Sequence, residues 1–303
     1  MIGWGALSCI AVAALVLLHQ PAWAADEPVR LAPSSKWHVE YADDSCRLAR
    51  QFGEGERTSL VVIERFQPGD PFRLTVTGPF KRARSGADAA LRFGPAESEQ
   101  NVSFLEAEWQ GRPALIFPGS LRIAPMTEQE QQAREAVAES DEAHLFEPAP
   151  IGAEREGAAT FLSVDAPGAS AFLFETGSLG EPFAALRKCM DELLTHWGID
   201  VERHRSLTRE ATPVGSPGKW LRSTDYPTSL LRKGAQGVVH FRLSVDGEGK
   251  VSGCHIQRST RPAGFDEAVC DALTRRARLE PALDAEGIPI ASYYINTARF
   301  IIP

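Results

Sequence analysis

Residues 237–251 constrain the fold more than any other stretch of this chain. Apolar side chains at alternate positions, from Val239 to Val245, are separated by the polar residues His240, Arg242 and Ser244. This period of two predicts a half-buried β-strand. Residues 246–249 are two glycines and two acidic residues that suit a tight turn. The chain is therefore expected to reverse into a second strand.

Helical patterns stand on either side of this hairpin. A short helix over residues 229–233 is expected to end at Gly234, and a second is expected to begin near Phe265. Residues 292–302 then predict a last strand. The order helix, strand, strand, helix, strand predicts a small α+β module with one sheet face under a helix and the other face open.

Short motifs recur along this C-terminal stretch in a characteristic order. They are Tyr226-Pro227, Gly234, Gly237, residues 246–251, Ser259-Thr260, Phe265-Asp266, residues 279–282, residues 287–290 and Arg299-Phe300. With these motifs, roughly residues 209–303 resemble the C-terminal domain of the TonB family of energy transducers. The resemblance covers little more than a quarter of the chain.

The resemblance implies a periplasmic protein that contacts outer-membrane TonB-dependent receptors or other envelope proteins. A receptor segment would add as an extra strand to the last strand of the module. Tyr226 could instead be an aromatic residue packed over the open sheet face. By resemblance, the partner-binding residues are Tyr226, Pro227, Tyr293, Tyr294, Ile295, Asn296, Thr297, Ala298, Arg299 and Phe300.

The region before the module predicts a mainly antiparallel β domain with a closing helix. Short apolar runs, separated by turn residues, predict strands over residues 37–41, 59–66, 72–77, 102–106, 115–117 and 171–174. A capping box at residues 127–130 predicts a polar surface helix running toward Ala143. A stripe of apolar residues from Phe183 to Trp197 predicts the closing helix, with Gly198 at its end.

These patterns divide the chain into four segments. Residues 1–24 predict a secretory signal peptide, because an apolar run precedes Ala22-Trp23-Ala24. Residues 25–205 form the predicted N-terminal domain, residues 206–219 a polar linker, and residues 220–303 the TonB-like domain. Alternatively, the apolar segment stays in the inner membrane as an anchor, which would make the chain a membrane-anchored energy transducer.

Four cysteines remain after the signal peptide, namely Cys46, Cys189, Cys254 and Cys270. An even number in an exported chain indicates disulfides, and four cysteines allow three pairings. Cys254 is expected to face the second helix of the module, which carries Cys270. The predicted bridges are therefore Cys254–Cys270 and Cys46–Cys189. None of these residues has the spacing of a zinc site, so no metal is expected.

Charge and motif content favour a binding protein. The formal net charge is −8, and residues from Ser206 onward carry 13 basic and 10 acidic side chains, which leaves −11 for the rest. Such an acidic balance disfavours nucleic acid as a partner. No catalytic or cofactor-binding motif was found, so the chain is predicted not to be an enzyme and to need no cofactor. Peptidoglycan binding or homodimerisation through the module remains a further alternative.

Overall fold

The computed structural model of the chain describes residues 27–80, 87–137, 148–260 and 262–302, together with Met1. The predicted signal peptide, beyond Met1, therefore lies outside the described residues. The architecture is mixed α+β, as predicted from the sequence. Within the described ranges, no helix is both long enough and apolar enough to cross a membrane.

The N-terminal part is rich in β-structure. Its strands are β1 (Val29–Leu31), β2 (His38–Tyr41), β3 (Cys46–Phe52), β4 (Ser59–Arg65), β5 (Phe72–Thr77), β6 (Asp88–Gly94), β7 (Gln100–Ser103), β8 (Leu105–Trp109), β9 (Arg112–Leu121), β10 (Phe161–Asp165) and β11 (Phe172–Phe174). Its helices are α1 (Glu128–Val137), α2 (Ala153–Ala158) and α3 (Gly180–His196). Helix α1 begins at the predicted capping box, and the predicted continuation toward Ala143 lies outside the described residues.

Two sheets share one hydrophobic core in this part. An antiparallel sheet has the strand order β2-β3-β4-β5-β9-β8, and a second sheet has the order β1-β11-β10-β6-β7. The pairs within both sheets are antiparallel, as predicted for a mainly antiparallel domain, apart from the parallel β1–β11 pair. The long connection between these two strands makes that direction possible. Buried residues of both sheets and of α3 form the core, among them Leu48, Ile63, Leu91, Phe93 and Phe183.

The closing helix α3 packs against β2 and β3. Phe183, Leu186 and Met190 of the predicted apolar stripe are buried, and Gly198 follows the helix with a φ of 79°. Such a positive φ strongly favours glycine, so this residue ends the helix as predicted. The predicted Cys46–Cys189 disulfide is present and joins α3 to β3.

The C-terminal part forms a smaller unit with its own core. Helix α4 (Val201–Arg205) contacts α3 and leads into this unit. The unit's own elements are β12 (Thr212–Pro213), α5 (Thr228–Leu231), β13 (Gly237–Val245), β14 (Val251–Ser259), α6 (Gly264–Arg276), β15 (Leu279–Glu280), β16 (Ala282–Leu283), β17 (Pro289–Ile290) and β18 (Ser292–Phe300). The segment expected to be a linker carries β12, which pairs with β15. Part of residues 206–219 therefore packs with the C-terminal unit.

The main sheet of this unit has the order β14-β13-β18 and is antiparallel. Val239, Phe241 and Leu243 are buried on the side that faces α6, in agreement with the alternating pattern. The first residue of β13 is Gly237, and a larger residue does not fit there because its Cβ would lie only 2.6 Å from the Phe265 ring. The predicted Cys254–Cys270 disulfide joins β14 to α6.

Candidate functional site

The last strand, β18, is an edge of its sheet. It pairs with β13 along its whole length, and no strand pairs with its other side among the residues that the structure describes. The Thr297 amide donates to Oδ1 of the neighbouring Asn296 at 2.7 Å, so this amide points away from β13. Because amides alternate along a strand, those of Ile295 and Arg299 also face outward, whereas those of Asn296 and Ala298 face β13.

The Asn296 side chain covers the middle of this edge. While Oδ1 accepts the Thr297 amide, Nδ2 donates to the Tyr294 hydroxyl at 2.6 Å. Burial raises the pKa of the Tyr294 phenol, which stays protonated at neutral pH. A side chain that bonds the outward amide hides an edge that would otherwise pair with another chain. An incoming strand can still pair at this edge, but it must first displace the hydrogen bond from the Thr297 amide to Asn296 Oδ1.

The side chains of β18 divide between the two faces of the sheet. Tyr294, Ala298 and Phe300 belong to the hydrophobic core beneath α6. Tyr293 and Thr297 lie on the opposite face. The predicted partner-binding residues of the strand are thus contiguous, and their side chains are largely committed to packing within the chain. What remains for a partner is chiefly the outward main chain.

Tyr226 lies beneath the sheet on the helix side. Its ring meets those of Phe265 and Phe300 edge-on, with centroids 5.6 and 5.3 Å apart, and its hydroxyl donates to the Ala235 carbonyl. The alternative that Tyr226 packs over the open face is therefore wrong, because the ring completes the core on the other side. Pro227 directly precedes α5 and is half-buried.

The sheet face that was predicted to be open is covered by the N-terminal part. Arg242 projects from β13 onto the Trp197 ring, with its guanidinium carbon 3.8 Å from the ring centroid, and pairs with Asp44 at 3.2 Å. Only 3% of Arg242 is exposed, and this burial lowers its pKa despite the Asp44 carboxylate. Trp197 also meets Tyr293 edge-on, and His204 stacks on the same tyrosine.

Sequence reasoning missed this interface. Arg242 stands on the polar side of the alternating pattern, which normally faces water, and Asp44 lies in a short polar stretch, Asp43-Asp44-Ser45, that carries no sign of burial. Gln257 extends the contact by donating to the carbonyl oxygens of Asp44 and Phe66 at 3.4 and 3.3 Å. The sequence feature that agrees with this contact is the opposite net charge of the two parts of the chain.

His240 lies at the same interface, beside the edge strand. Its Nδ1 is 2.7 Å from the Thr297 hydroxyl and 3.0 Å from the Arg73 guanidinium. Burial lowers the pKa of His240 to about 4, and the positive charges of Arg73, Arg258 and Arg299 add to the effect. The imidazole is therefore neutral at neutral pH. No group of side chains suited to a metal ion occurs in the described part of the chain.

Comparison with known proteins identifies the module to which this edge belongs. Residues 222–302 match the family model described as Gram-negative bacterial TonB protein C-terminal. This segment is TonB-like. The match begins just before the Tyr226-Pro227 motif and ends just after β18. No curated protein matches the chain. The TonB-like module supports a role as an envelope protein linked to outer-membrane transport.

Proposed function

We propose that the chain binds an envelope partner by strand addition to the outer edge of β18, and that the partner is an outer-membrane TonB-dependent receptor or another envelope protein. The observation that carries the proposal is the outward Thr297 amide, which donates to the neighbouring Asn296 side chain rather than to another strand in the described part of the chain. The TonB-like match across this strand supports the same edge.

Strand addition costs little at this position. An incoming carbonyl would replace Asn296 Oδ1 as the acceptor of the Thr297 amide. The amide is therefore hydrogen-bonded both before and after binding. Main-chain bonds supply the affinity in this mode of recognition, and side-chain pockets supply specificity. Since the side chains of β18 are largely packed inside the chain, we expect a tolerant partner sequence.

The role is binding rather than catalysis. We propose that the chain acts in the periplasm after export, with no cofactor. An inner-membrane anchor, peptidoglycan binding and homodimerisation through β18 are the competing possibilities. Each predicts a different result. An anchored chain would fractionate with the inner membrane, a peptidoglycan-binding chain would capture the sugar polymer, and a homodimer would capture a second copy of this chain.

The Thr297→Pro variant tests the edge directly. Proline lacks the outward amide donor and blocks pairing, while an edge position that makes no bond to β13 can accept it. We expect captured envelope protein to fall at least tenfold when the oxidised chain is used as bait in a Gram-negative envelope extract. This corresponds to roughly 1.4 kcal/mol. Mass spectrometry would identify and quantify the captured protein.

Thr297→Ser is the matched control, because it keeps both the amide and the hydroxyl that contacts His240. Circular dichroism must first show that both variants fold, and a free-thiol assay must show that both retain their disulfides. If the folded Thr297→Pro variant captured the same protein in the same amount, strand addition at β18 would be wrong.

A further inference from the structure

One hydrogen bond between the N-terminal part and the module requires a neutral imidazole. Nη2 of Arg73, on β5, lies 3.0 Å from Nδ1 of His240, on β13. A guanidinium group has N–H donors and no acceptor, so Nδ1 must be the acceptor and cannot carry a proton. The Thr297 hydroxyl lies 2.7 Å from the same nitrogen and can also donate to it. A proton on Nδ1 would therefore break this bond and place two cations side by side.

Further cations surround His240 on the strands of the module itself. Arg258 of β14 lies directly opposite His240. Arg299 of β18 lies opposite Val238, two residues from His240, and so on the same sheet face. Burial lowers the pKa of His240, and the positive charges of Arg73, Arg258 and Arg299 lower it further. A protonated His240 would add a fourth positive charge to this group.

The carboxylate of Glu64, on β4, faces this group from the N-terminal part. It lies opposite Arg73 and acts to raise the pKa of that guanidinium, although burial and Arg258 lower the pKa overall. Glu64 Oε1 also accepts hydrogen bonds from Arg47 at 2.7 Å and from the Ser45 hydroxyl at 3.0 Å. Glu64 thus offsets part of the Arg73 charge. In the part of the chain that the structure describes, the hydrogen-bond partners of the His240 ring include no carboxylate.

Two other histidines lie on the same covered face of the sheet. His204 of α4 stacks on Tyr293 with ring centroids 5.4 Å apart, and burial lowers its pKa. His255 of β14 lies opposite Arg242 at the exposed rim of this face. Burial and Arg242 lower the pKa of His255, while Asp44 raises it. All three histidines that follow residue 200 in the sequence therefore lie at this interface.

The contacts that hold the two parts together can be called the clasp. They are the hydrogen bond of Arg73 with His240 and the contacts of Arg242 with Asp44 and Trp197. We infer that the clasp is operated by pH: it is closed while His240 is neutral and opens when this residue takes up a proton. The inference does not depend on strand addition, because the clasp lies on a sheet face and not at the outer edge of β18.

The direction and size of the effect follow from proton linkage. An open form, in which His240 recovers its ordinary pKa of 6.5, takes up a proton more readily than the closed form, in which the pKa is about 4. Lowering the pH therefore favours the open form. His240 alone should raise the ratio of open to closed chains about twentyfold between pH 7 and pH 5.

The experiment measures how each part tumbles in the full chain, labelled with nitrogen-15 and deuterium and with both disulfides intact. Relaxation of backbone amides gives a rotational correlation time for each part. At pH 7 the two parts should share one correlation time. As the pH falls to 4.5, the module should tumble faster than the larger N-terminal part, while dispersed chemical shifts show that both stay folded.

Two variants test whether His240 operates the clasp. His240→Asn keeps a side-chain acceptor and does not titrate, so most of the twentyfold change should disappear. Arg73→Gln keeps a donor toward His240 and removes one positive charge, so opening should require a lower pH than in the unmodified chain. The His38→Asn variant, measured alongside, shows the effect of losing an exposed imidazole on β2.

Three outcomes would overturn the inference. The first is a single correlation time for both parts at every pH down to 4.5. The second is loss of chemical-shift dispersion in either part before the correlation times separate, because the chain would then unfold rather than open. The third is an equal response of the folded His240→Asn variant and the unmodified chain.

Discussion

The Asn296 side chain provides a hydrogen-bond acceptor for the outward edge of β18, which the main chain of the strand alone does not provide. The side chain bonds the outward Thr297 amide on one side and the Tyr294 hydroxyl on the other. The sequence places Asn296 in the predicted binding strand through its family motif, but its position there does not reveal which way the side chain turns. That direction depends on Tyr294, whose ring position is set by packing beneath α6.

His240 should make stability depend on pH. Its pKa is about 4 in the folded chain, below the ordinary value of 6.5. As the pH falls from 6.5 toward 4, the unfolded chain takes up a proton that the folded chain does not, so the free energy of unfolding decreases. His240→Asn cannot titrate in this range, and we expect it to reduce this decrease. Urea unfolding at several pH values measures the effect.

The exposed His38 provides the control for removing an imidazole. The His38→Asn variant is unfolded in urea at the same pH values, so that the effect of removing an imidazole outside the interface is known. Equal slopes for the His240→Asn variant and the unmodified chain between pH 6.5 and 4 would contradict the assignment.

At the scale of elements, strands with a clear alternating pattern were predicted well, whereas elements that are short or rich in polar residues were missed. The strand at Phe72–Thr77 was predicted at its observed bounds, and the hairpin of β13 and β14 follows the alternating pattern. Strand β3 was missed because Arg47, Arg50 and Gln51 interrupt its apolar residues. The predicted strand over residues 102–106 is two strands that meet at Phe104, whose ring is buried.

The two disulfides should differ in their contribution to stability. In the chain-entropy model, closing the 143-residue separation of Cys46–Cys189 is worth about 5 kcal/mol, and closing the 16-residue separation of Cys254–Cys270 about 3 kcal/mol. Replacing both cysteines of a pair by alanine should therefore lower the free energy of unfolding more for the first pair. Urea unfolding of the two double variants compares them, and the opposite order would contradict this account.

At the scale of the whole molecule, the covered sheet face could not be predicted from local patterns. Its contacts join residues far apart in sequence, such as Arg242 with Asp44 and Tyr293 with Trp197. Each of these residues has an ordinary local role, as a polar strand residue, a turn acid or a helix-end aromatic. Burial of a charged residue requires a distant partner, and a pattern within one strand does not contain that information.

Export makes a prediction about the entire chain. Because Ala22-Trp23-Ala24 has the small residues of a cleavage site, the protein isolated from periplasm should begin at Ala25. Intact-mass measurement and N-terminal sequencing check this expectation. A chain that kept Met1 and fractionated with the inner membrane would favour the anchored energy transducer instead.

The Arg242–Trp197 contact has a consequence for affinity. Because the sheet of the module is held against the N-terminal part, a segment bound at β18 has one orientation relative to the whole protein. A partner that also touches the N-terminal sheets would lose its translational and rotational freedom once for both contacts. Weak contacts on the acidic N-terminal surface would then multiply the affinity of the edge, as in a bivalent ligand whose two groups share a rigid frame.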